Sequence, residues 1–279
     1  RKLRHSLRRP SRSDLVQLEF EMLDTDVDDL DVTDTDEVLR FGEMNRPDII
    51  INCSGMTDIS SCEENPSQAF KVNALGARNL AIVAAKMQAK MVQLSTDDVF
   101  DGKSTEPYTE FDITNPGTVY GKSKLAGENY VKEFTTKHFI VRSTWVYGKG
   151  QNFINGFLKK VDAGEQLSIA SDQFGSPTSA NELARFLLHL VHTSEYGTYH
   201  ATNKGVCSRY AFAQEILKMT GKTASMQPVP TVMSDFSKVR PAYAVLDNFI
   251  MSMVPIYDFP DWQDSLREYL EERGLYHAE

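Results

Sequence analysis

Long apolar runs are absent from this 279-residue sequence. No stretch approaches the roughly 18 consecutive apolar residues of a membrane span. A positively charged start followed by an apolar core, which is the pattern of a secretory signal peptide, is also absent. We therefore expect a cytoplasmic protein that has no membrane partner.

Cysteine is scarce, with only Cys53, Cys62 and Cys207 in the chain. Three cysteines cannot all pair with one another, and they suit a reducing compartment. Neither the cysteines nor the histidines have the spacing of metal ligands. The acidic segment 24–37 lacks the glycine and terminal glutamate of an EF-hand loop. We therefore expect no metal site, and we expect Cys53, at the end of an apolar strand, to be buried.

Basic residues are fewer than acidic ones: the chain has 30 Lys and Arg and 39 Asp and Glu, which gives a net charge of -9. Duplex nucleic acid is therefore not an expected partner. The exception is the strongly basic segment 1–12, which is typical of either a solvated helix or a basic tail. Its short length favours the helix. An anionic small molecule could still bind at a local basic site.

Short apolar runs alternate with amphipathic segments along the chain. Strands are predicted at 15–23, 48–53, 90–94, 139–142 and 197–201. The largely continuous apolar run at 48–53 is typical of a parallel strand that is covered on both faces. Helices are predicted between the strands, for example at 35–45, where Asp34 or Thr33 would cap the first turn. The pattern predicts an α/β protein with a parallel sheet.

The stretch from Val92 to Lys124 carries the chemistry. An apolar run ends in Ser95, Thr96 and Asp97, and open α/β sheets bind their ligands at the carboxyl ends of their strands. Tyr120 and Lys124 follow on a predicted helix, where residues four apart share a face. A nearby ammonium favours the phenolate form of tyrosine, so this pair could transfer a proton near neutral pH. The alternative is that a tyrosine and a lysine meet by chance on an exposed helix face.

Five segments together resemble the extended short-chain dehydrogenases/reductases, most closely the dTDP-4-dehydrorhamnose reductases. They are LSTDDVFDG (94–102), YGKSKLAGE (120–128), VRSTWVYG (141–148), DQFGSPT (172–178) and RP (240–241). The resemblance implies a Rossmann-like, doubly wound parallel sheet with a smaller C-terminal substrate-binding lobe. The first domain would span 1–148 and the lobe 149–279, with 181–203 returning to the first domain.

The resemblance also implies an activity, which is the NADP- or NAD-dependent reduction of a 4-keto-6-deoxy nucleotide sugar. The cofactor supplies the hydride. Tyr120 would donate the proton, Lys124 would tune it and hold the nicotinamide ribose, and Thr96 with Ser95 would fix the keto oxygen. A homodimer remains an open alternative to a monomer.

Further binding residues follow from the same resemblance. The cofactor-binding candidates are Asp31, Val32, Cys53, Ser54, Gly55, Asn73, Ser95, Tyr120 and Lys124. The substrate-binding candidates are Thr96, Asp97, Asp98, Trp145, Gln173 and Arg240. Asn73 could equally be satisfied by a neighbouring group, Trp145 could be a core residue, and Arg240 would contact phosphate.

The sequence departs from the family pattern at two points. It has no Gly-rich turn of the G-x-x-G-x-x-G type, which would approach the cofactor diphosphate. Either the chain is a fragment without the first strand, which we favour, or the protein has lost this phosphate cradle. Asp98 stands where the family commonly has tyrosine. Two other functions therefore stay open, a non-catalytic regulatory or scaffold relative and a nucleotide-sugar epimerase or dehydratase.

Overall fold

A computed structural model describes residues 21–231 and 241–277 of the chain. The predicted helix at 1–12 and nearly all of the predicted strand at 15–23 lie outside these residues. Arg240, the predicted phosphate contact, lies outside them as well.

The described residues alternate between helices and strands. The helices are α1 (Thr35–Asn45), α2 (Ile59–Glu64), α3 (Pro66–Phe70), α4 (Ala77–Met87), α5 (Val119–Phe134), α6 (Phe153–Asp162), α7 (Ala180–Leu190), α8 (Arg209–Thr220), α9 (Phe249–Met253) and α10 (Trp262–Glu272). The strands are β1 (Ile49–Asn52), β2 (Lys90–Thr96), β3 (His138–Ser143), β4 (Val146–Tyr147), β5 (Leu167–Ala170), β6 (Phe174–Gly175), β7 (Thr178–Ser179), β8 (Gly197–His200), β9 (Cys207–Ser208), β10 (Met226–Val229) and β11 (Tyr243–Ala244).

Four parallel strands form the main sheet in the order β1-β2-β3-β8. Side chains alternate across it, as the pleat requires. Met91 and Ile140 pack with α1, α4 and α5 on one face. Phe139 and Val141 pack with α7 on the other. Helices therefore cover both faces, and the fold is the parallel-sheet, Rossmann-like α/β fold that the sequence predicts.

The edge strand β1 differs from the expectation of a strand covered on both faces. Ile51 is 43% exposed, and Cys53 just beyond the strand is exposed rather than buried. Within the described residues, β1 pairs only with β2. Its outer side therefore lacks the neighbour that a central strand would have.

Three smaller sheets accompany the main sheet in the described residues. They have the orders β10-β5, β11-β6-β9 and β4-β7. A second apolar core lies among α6, α8 and α10 and includes Trp145 and Trp262. Side-chain caps begin several helices, since Asp34, Asn152 and Ser208 each accept a bond from an amide in the first turn.

Candidate active site

Helix α5 packs tightly against the end of β2, which positions the Tyr-Lys pair. The helix begins after Thr118, whose hydroxyl accepts a bond from the Gly121 amide at 2.9 Å. A Cβ atom at Gly121 would overlap the carbonyl oxygen of Asp98, so only glycine allows this approach. Tyr120 is therefore held beside the strand end and is only 8% exposed.

Lys124 lies one turn further along α5 and is buried as well. Its Nζ donates a hydrogen bond of 2.7 Å to the carbonyl oxygen of Leu94, on β2. Burial lowers the pKa of Lys124 from 10.5 to about 8, although the negative charge of Glu128 acts in the opposite direction. The ammonium is therefore largely retained at neutral pH, next to the turn that carries the phenol.

Thr96 ends β2 and begins a short 3₁₀ turn at Asp97–Val99. Its hydroxyl donates to Asp97 at 3.1 Å and accepts from the Asp98 amide at 3.2 Å. Asp97 and Asp98 are both buried. The structure therefore brings Thr96 and the two carboxylates to the carboxyl end of the sheet, as the sequence predicts.

Ser95 does not face the same way as Thr96. Its hydroxyl donates a 2.6 Å hydrogen bond to Glu128. The same carboxylate accepts two bonds from Arg142, at 2.9 and 2.7 Å, and both charged side chains are buried. Because the Ser95 proton is used within this buried group, Thr96 is better placed than Ser95 to meet a substrate oxygen.

Asn73 ties the loop after β1 to the Tyr-Lys helix. It lies in a π-helical segment, Lys71–Gly76, of a kind often found at functional sites. Its amide group accepts from the Met56 amide at 2.8 Å and donates to the Met56 carbonyl oxygen at 2.9 Å and to Ser123 at 2.8 Å. Of the two readings of Asn73, the structure supports a residue that is satisfied by its neighbours.

The remaining cofactor candidates surround the end of β1. Ser54 bonds to the Asn52 side chain through both its amide and its hydroxyl, at 3.0 and 2.6 Å. Gly55 is exposed, and a Cβ atom there would lie 3.8 Å from Nζ of Lys124. The half-buried Ser54 and the exposed Gly55 therefore border the buried lysine, and their small size fits the close approach of a nicotinamide cofactor.

Asp31 and Val32 precede α1 and are both half-buried. Hydrogen bonds from Thr33 hold the pKa of Asp31 below its usual value. The Val32 carbonyl oxygen accepts a bond from Asn79, on α4. These contacts fix the segment that the resemblance assigns to the adenine side of the cofactor.

Trp145 and Gln173 lie together beyond the end of β3. Trp145 is 9% exposed and belongs to the C-terminal core. The guanidinium carbon of Arg209 lies 3.5 Å from the centre of the Trp145 ring, and the Arg209 amide donates to the Gln173 carbonyl oxygen at 2.9 Å. Both sequence candidates therefore contact one arginine.

Sequence reasoning assigned no role to Glu128, Arg142 or Arg209. For the first two a signal was present, since Glu128 repeats the four-residue spacing of Tyr120 and Lys124. Arg142 is a charged residue inside an otherwise apolar strand, which requires a buried partner. For Arg209 no signal distinguishes it from a surface arginine at the start of a helix.

The described part of the chain has neither a metal-binding cluster nor a membrane-spanning helix. Within residues 21–231 and 241–277, no group of three or more His, Cys, Asp or Glu side chains could hold a metal ion. Over the same ranges, no helix is long and apolar enough to cross a bilayer.

Comparison with known proteins gives consistent results. Residues 10–274 match the family model described as the RmlD substrate binding domain. A dTDP-4-dehydrorhamnose reductase from Clostridium acetobutylicum has a similar structure, with a TM-score of 0.87 and 41% identity, over 90% of this chain and 89% of that one. One from Bacillus anthracis, solved in complex with NADP, has a TM-score of 0.87 and 36% identity, over 93% of each chain. The spore coat polysaccharide biosynthesis protein SpsK of Bacillus subtilis is 38% identical over 82% of this chain and 81% of its own length.

Proposed function

Because the chain belongs to the RmlD family of dTDP-4-dehydrorhamnose reductases, we propose that it reduces the 4-keto group of a dTDP-linked 6-deoxy sugar at the expense of NADPH. The observation that carries the proposal is the buried Tyr120 and Lys124 pair on α5. The helix is held against the carboxyl end of β2, since Lys124 donates to the Leu94 carbonyl oxygen and Gly121 lies against that of Asp98.

The residues present fit a nicotinamide cofactor. The loop at Ser54 and Gly55 adjoins Lys124, whose ammonium would hold the ribose. Asp31 and Val32 would contact the adenine side. When bound, the reduced cofactor supplies a hydride to the sugar C4 carbon.

The protein supplies the proton and the orientation. Tyr120 would donate its phenolic proton to the O4 oxygen as that oxygen becomes an alcohol. The Lys124 ammonium stabilises the phenolate that remains, and solvent then restores the proton. Thr96 would exchange its bond to Asp97 for one to O4. Ser95 is left out of this step because it donates to Glu128.

The substrate side of the site would be formed by the residues beyond β2 and β3. Asp97 and Asp98 lie next to the keto group in this arrangement, and Trp145 and Gln173 lie towards the sugar and the nucleotide. The buried carboxylates of Asp97 and Asp98 would repel an acidic group on the sugar. They therefore support a neutral or hydroxyl-rich sugar at that point.

The experiment is an NADPH oxidation assay with dTDP-4-dehydrorhamnose, run with wild type, Tyr120→Phe and Tyr130→Phe. Tyr120→Phe is expected to lose at least about 100-fold in kcat, the usual scale of a lost proton donor, while keeping its circular dichroism spectrum. Tyr130, ten residues along the same helix, is the matched control and should have no effect. Retained turnover in Tyr120→Phe would contradict the assignment. Separate calorimetric titrations with NADPH and NADH identify the preferred cofactor.

The domain division belongs to the same proposal. Residues 1–148 would bind the cofactor and 149–279 the substrate, with 181–203 returning to the first domain. Packing of α7 against the main sheet and the pairing of β8 with β3 support that return.

A cytoplasmic location and a homodimer are also proposed. The three free cysteines support a reducing compartment. The groove between α3 and α5, lined in part by Phe70, Leu75 and Tyr130, offers apolar surface for a second copy. Sedimentation analysis that gives only a monomer across micromolar concentrations would contradict the dimer.

A further inference from the structure

Glu128 lies one turn after Lys124 on α5 and is completely buried. Arg142, on β3, donates two hydrogen bonds to its carboxylate, at 2.9 and 2.7 Å. Ser95, on β2, donates a third at 2.6 Å. Helical residues four apart lie on the same face, so this carboxylate follows directly after the lysine along the helix. Two strands of the main sheet therefore fix it in place.

Adjacent residues of β2 hold the lysine and the carboxylate. The carbonyl oxygen of Leu94 accepts the bond from Nζ of Lys124 at 2.7 Å, and the next residue, Ser95, binds Glu128. Ser95 and Arg142 are partners in the register of β2 and β3. One point near the carboxyl end of the sheet therefore fixes both charged side chains of α5 relative to each other.

The buried pair of Glu128 and Arg142 is a costly way to fill this position. Two buried charges lose their hydration, and apolar residues of similar volume often replace such a pair without loss of stability. A buried carboxylate has a second effect, because its negative charge favours the ammonium form of a lysine nearby. The proposed reaction needs Lys124 in that form.

The other charged groups around Lys124 do not replace this effect. Desolvation lowers the pKa of Lys124 to about 8, and the charge of Glu128 raises it. Although Cys53 has exposed surface, desolvation of its thiol raises the pKa of that group above 9, so the thiol is neutral at neutral pH. Lys132, whose Nζ lies 3.8 Å from the carboxylate of Glu128, is exposed to solvent. Beyond Arg142, burial lowers the pKa of His200 to about 3, so that ring is neutral as well.

We propose that Glu128, held by Ser95 and Arg142, is a positioning residue of the reaction, whose carboxylate keeps Lys124 in the ammonium form beside Tyr120. The inference rests on the proposed function, since it concerns the charge of a residue used there. Without the carboxylate, the desolvated lysine loses its proton closer to neutral pH. The phenolate that forms on Tyr120 during the reaction is then no longer stabilised.

The first test measures the protonation of Lys124 directly, without cofactor or substrate. The full chain is labelled with ¹³C at the ε-carbon of lysine, the chemical shifts are followed from pH 6 to pH 10.5, and Lys124→Met identifies the signal. The midpoint in wild type is expected at about pH 8. Glu128→Gln should lower it by about one to two pH units, from Coulomb's law for a charge one helical turn away. Glu133→Gln, at an exposed position on the same helix, is the matched control and should leave the midpoint unchanged.

The second test is the pH dependence of kcat/KM in the NADPH oxidation assay. Loss of the Lys124 proton should end activity on the alkaline side, so Glu128→Gln should move that limb to lower pH by the same amount as the midpoint. Glu128→Asp keeps the negative charge and should restore most of the shift. A residue that only supports the fold would lower kcat at every pH without moving the limb.

Two results would overturn the inference. In the first, the midpoint of Lys124 in Glu128→Gln equals that of wild type. In the second, the midpoint falls but the alkaline limb of an active enzyme stays where it is. If wild type shows no turnover at all, the proposed function fails, and the role of Glu128 in the reaction fails with it.

A second variant covers the case in which Glu128→Gln does not fold. Glu128→Gln combined with Arg142→Met leaves no buried charge without its partner, and it decides by the same criteria. Removal of the Arg142 cation by itself raises the midpoint of Lys124, so a fall in the double variant is due to the lost carboxylate.

Discussion

Lys124 is predicted to reduce the stability of the fold at neutral pH. Burial lowers its pKa from 10.5 to about 8. Each pKa unit corresponds to about 1.4 kcal/mol, so the folded protein holds the ammonium less favourably than the unfolded chain does, by about 3 kcal/mol. A group to which we assign a role in the reaction is thus kept at a cost to folding.

The sign of the pH dependence follows from proton binding. Between pH 8 and pH 10.5 the unfolded chain keeps the Lys124 proton, while the folded protein loses it. The unfolded state therefore binds more protons, and the free energy of unfolding gains a contribution that rises with pH across this window. Below pH 8 both states are protonated, and the full destabilisation applies.

The perturbation is Lys124→Met, which keeps the length of the buried stem and removes the charge. Urea unfolding, followed by circular dichroism without cofactor, would be compared for variant and wild type from pH 7 to pH 10.5. We expect the variant's advantage in unfolding free energy to shrink by about 3 kcal/mol across that range, and we expect the variant to be inactive.

The control is Lys122→Met, on the same helix but exposed. Its stability curve should run parallel to that of wild type at every pH. If the unfolding free energy of Lys124→Met also differs from that of wild type by the same amount at every pH, then Lys124 titrates as an ordinary lysine in the folded protein, and the reasoning is refuted.

Two further predictions concern the residues that support the site. Asn73→Ala should lower the free energy of unfolding by about 3 kcal/mol, because the Met56 amide and carbonyl groups lose their partner. The control is Asn129→Ala, at an exposed position on α5. An unchanged urea midpoint for Asn73→Ala would contradict the prediction. Glu128→Gln should cost about 3–5 kcal/mol in the same assay, because it leaves Arg142 charged and buried without its counter-ion. Adding Arg142→Met should restore part of that loss, and a loss under about 1 kcal/mol in the single variant would show that the pair is not needed.

Local signals predicted most of the fold. The helix at Thr35–Asn45 and its cap at Asp34 follow the sequence closely, because a capping side chain and its amide lie within three residues of each other. Local pattern also placed Thr96 at the end of a strand and Tyr120 on a helix, whereas their roles in the reaction came from the family resemblance.

Pairings between distant segments were beyond the sequence. Nothing near Ser95 indicates that its hydroxyl binds Glu128, and nothing near Trp145 indicates that Arg209 covers its ring. The exposure of Cys53 was predicted wrongly because the apolar strand before it was assumed to be covered on both faces. Such errors arise where packing, and not the local pattern, decides which face is covered.

The positions of the two tryptophans have a spectroscopic consequence. Trp145 and Trp262 both belong to the C-terminal core, and the chain has no other tryptophan. Indole emission therefore reports on that core and not on the main sheet, whose aromatic residues include Phe139 and Tyr199. A denaturation curve read by tryptophan emission can be compared with one read by far-ultraviolet dichroism. If the two curves separate, the two halves of the chain melt independently, without any need to introduce a label.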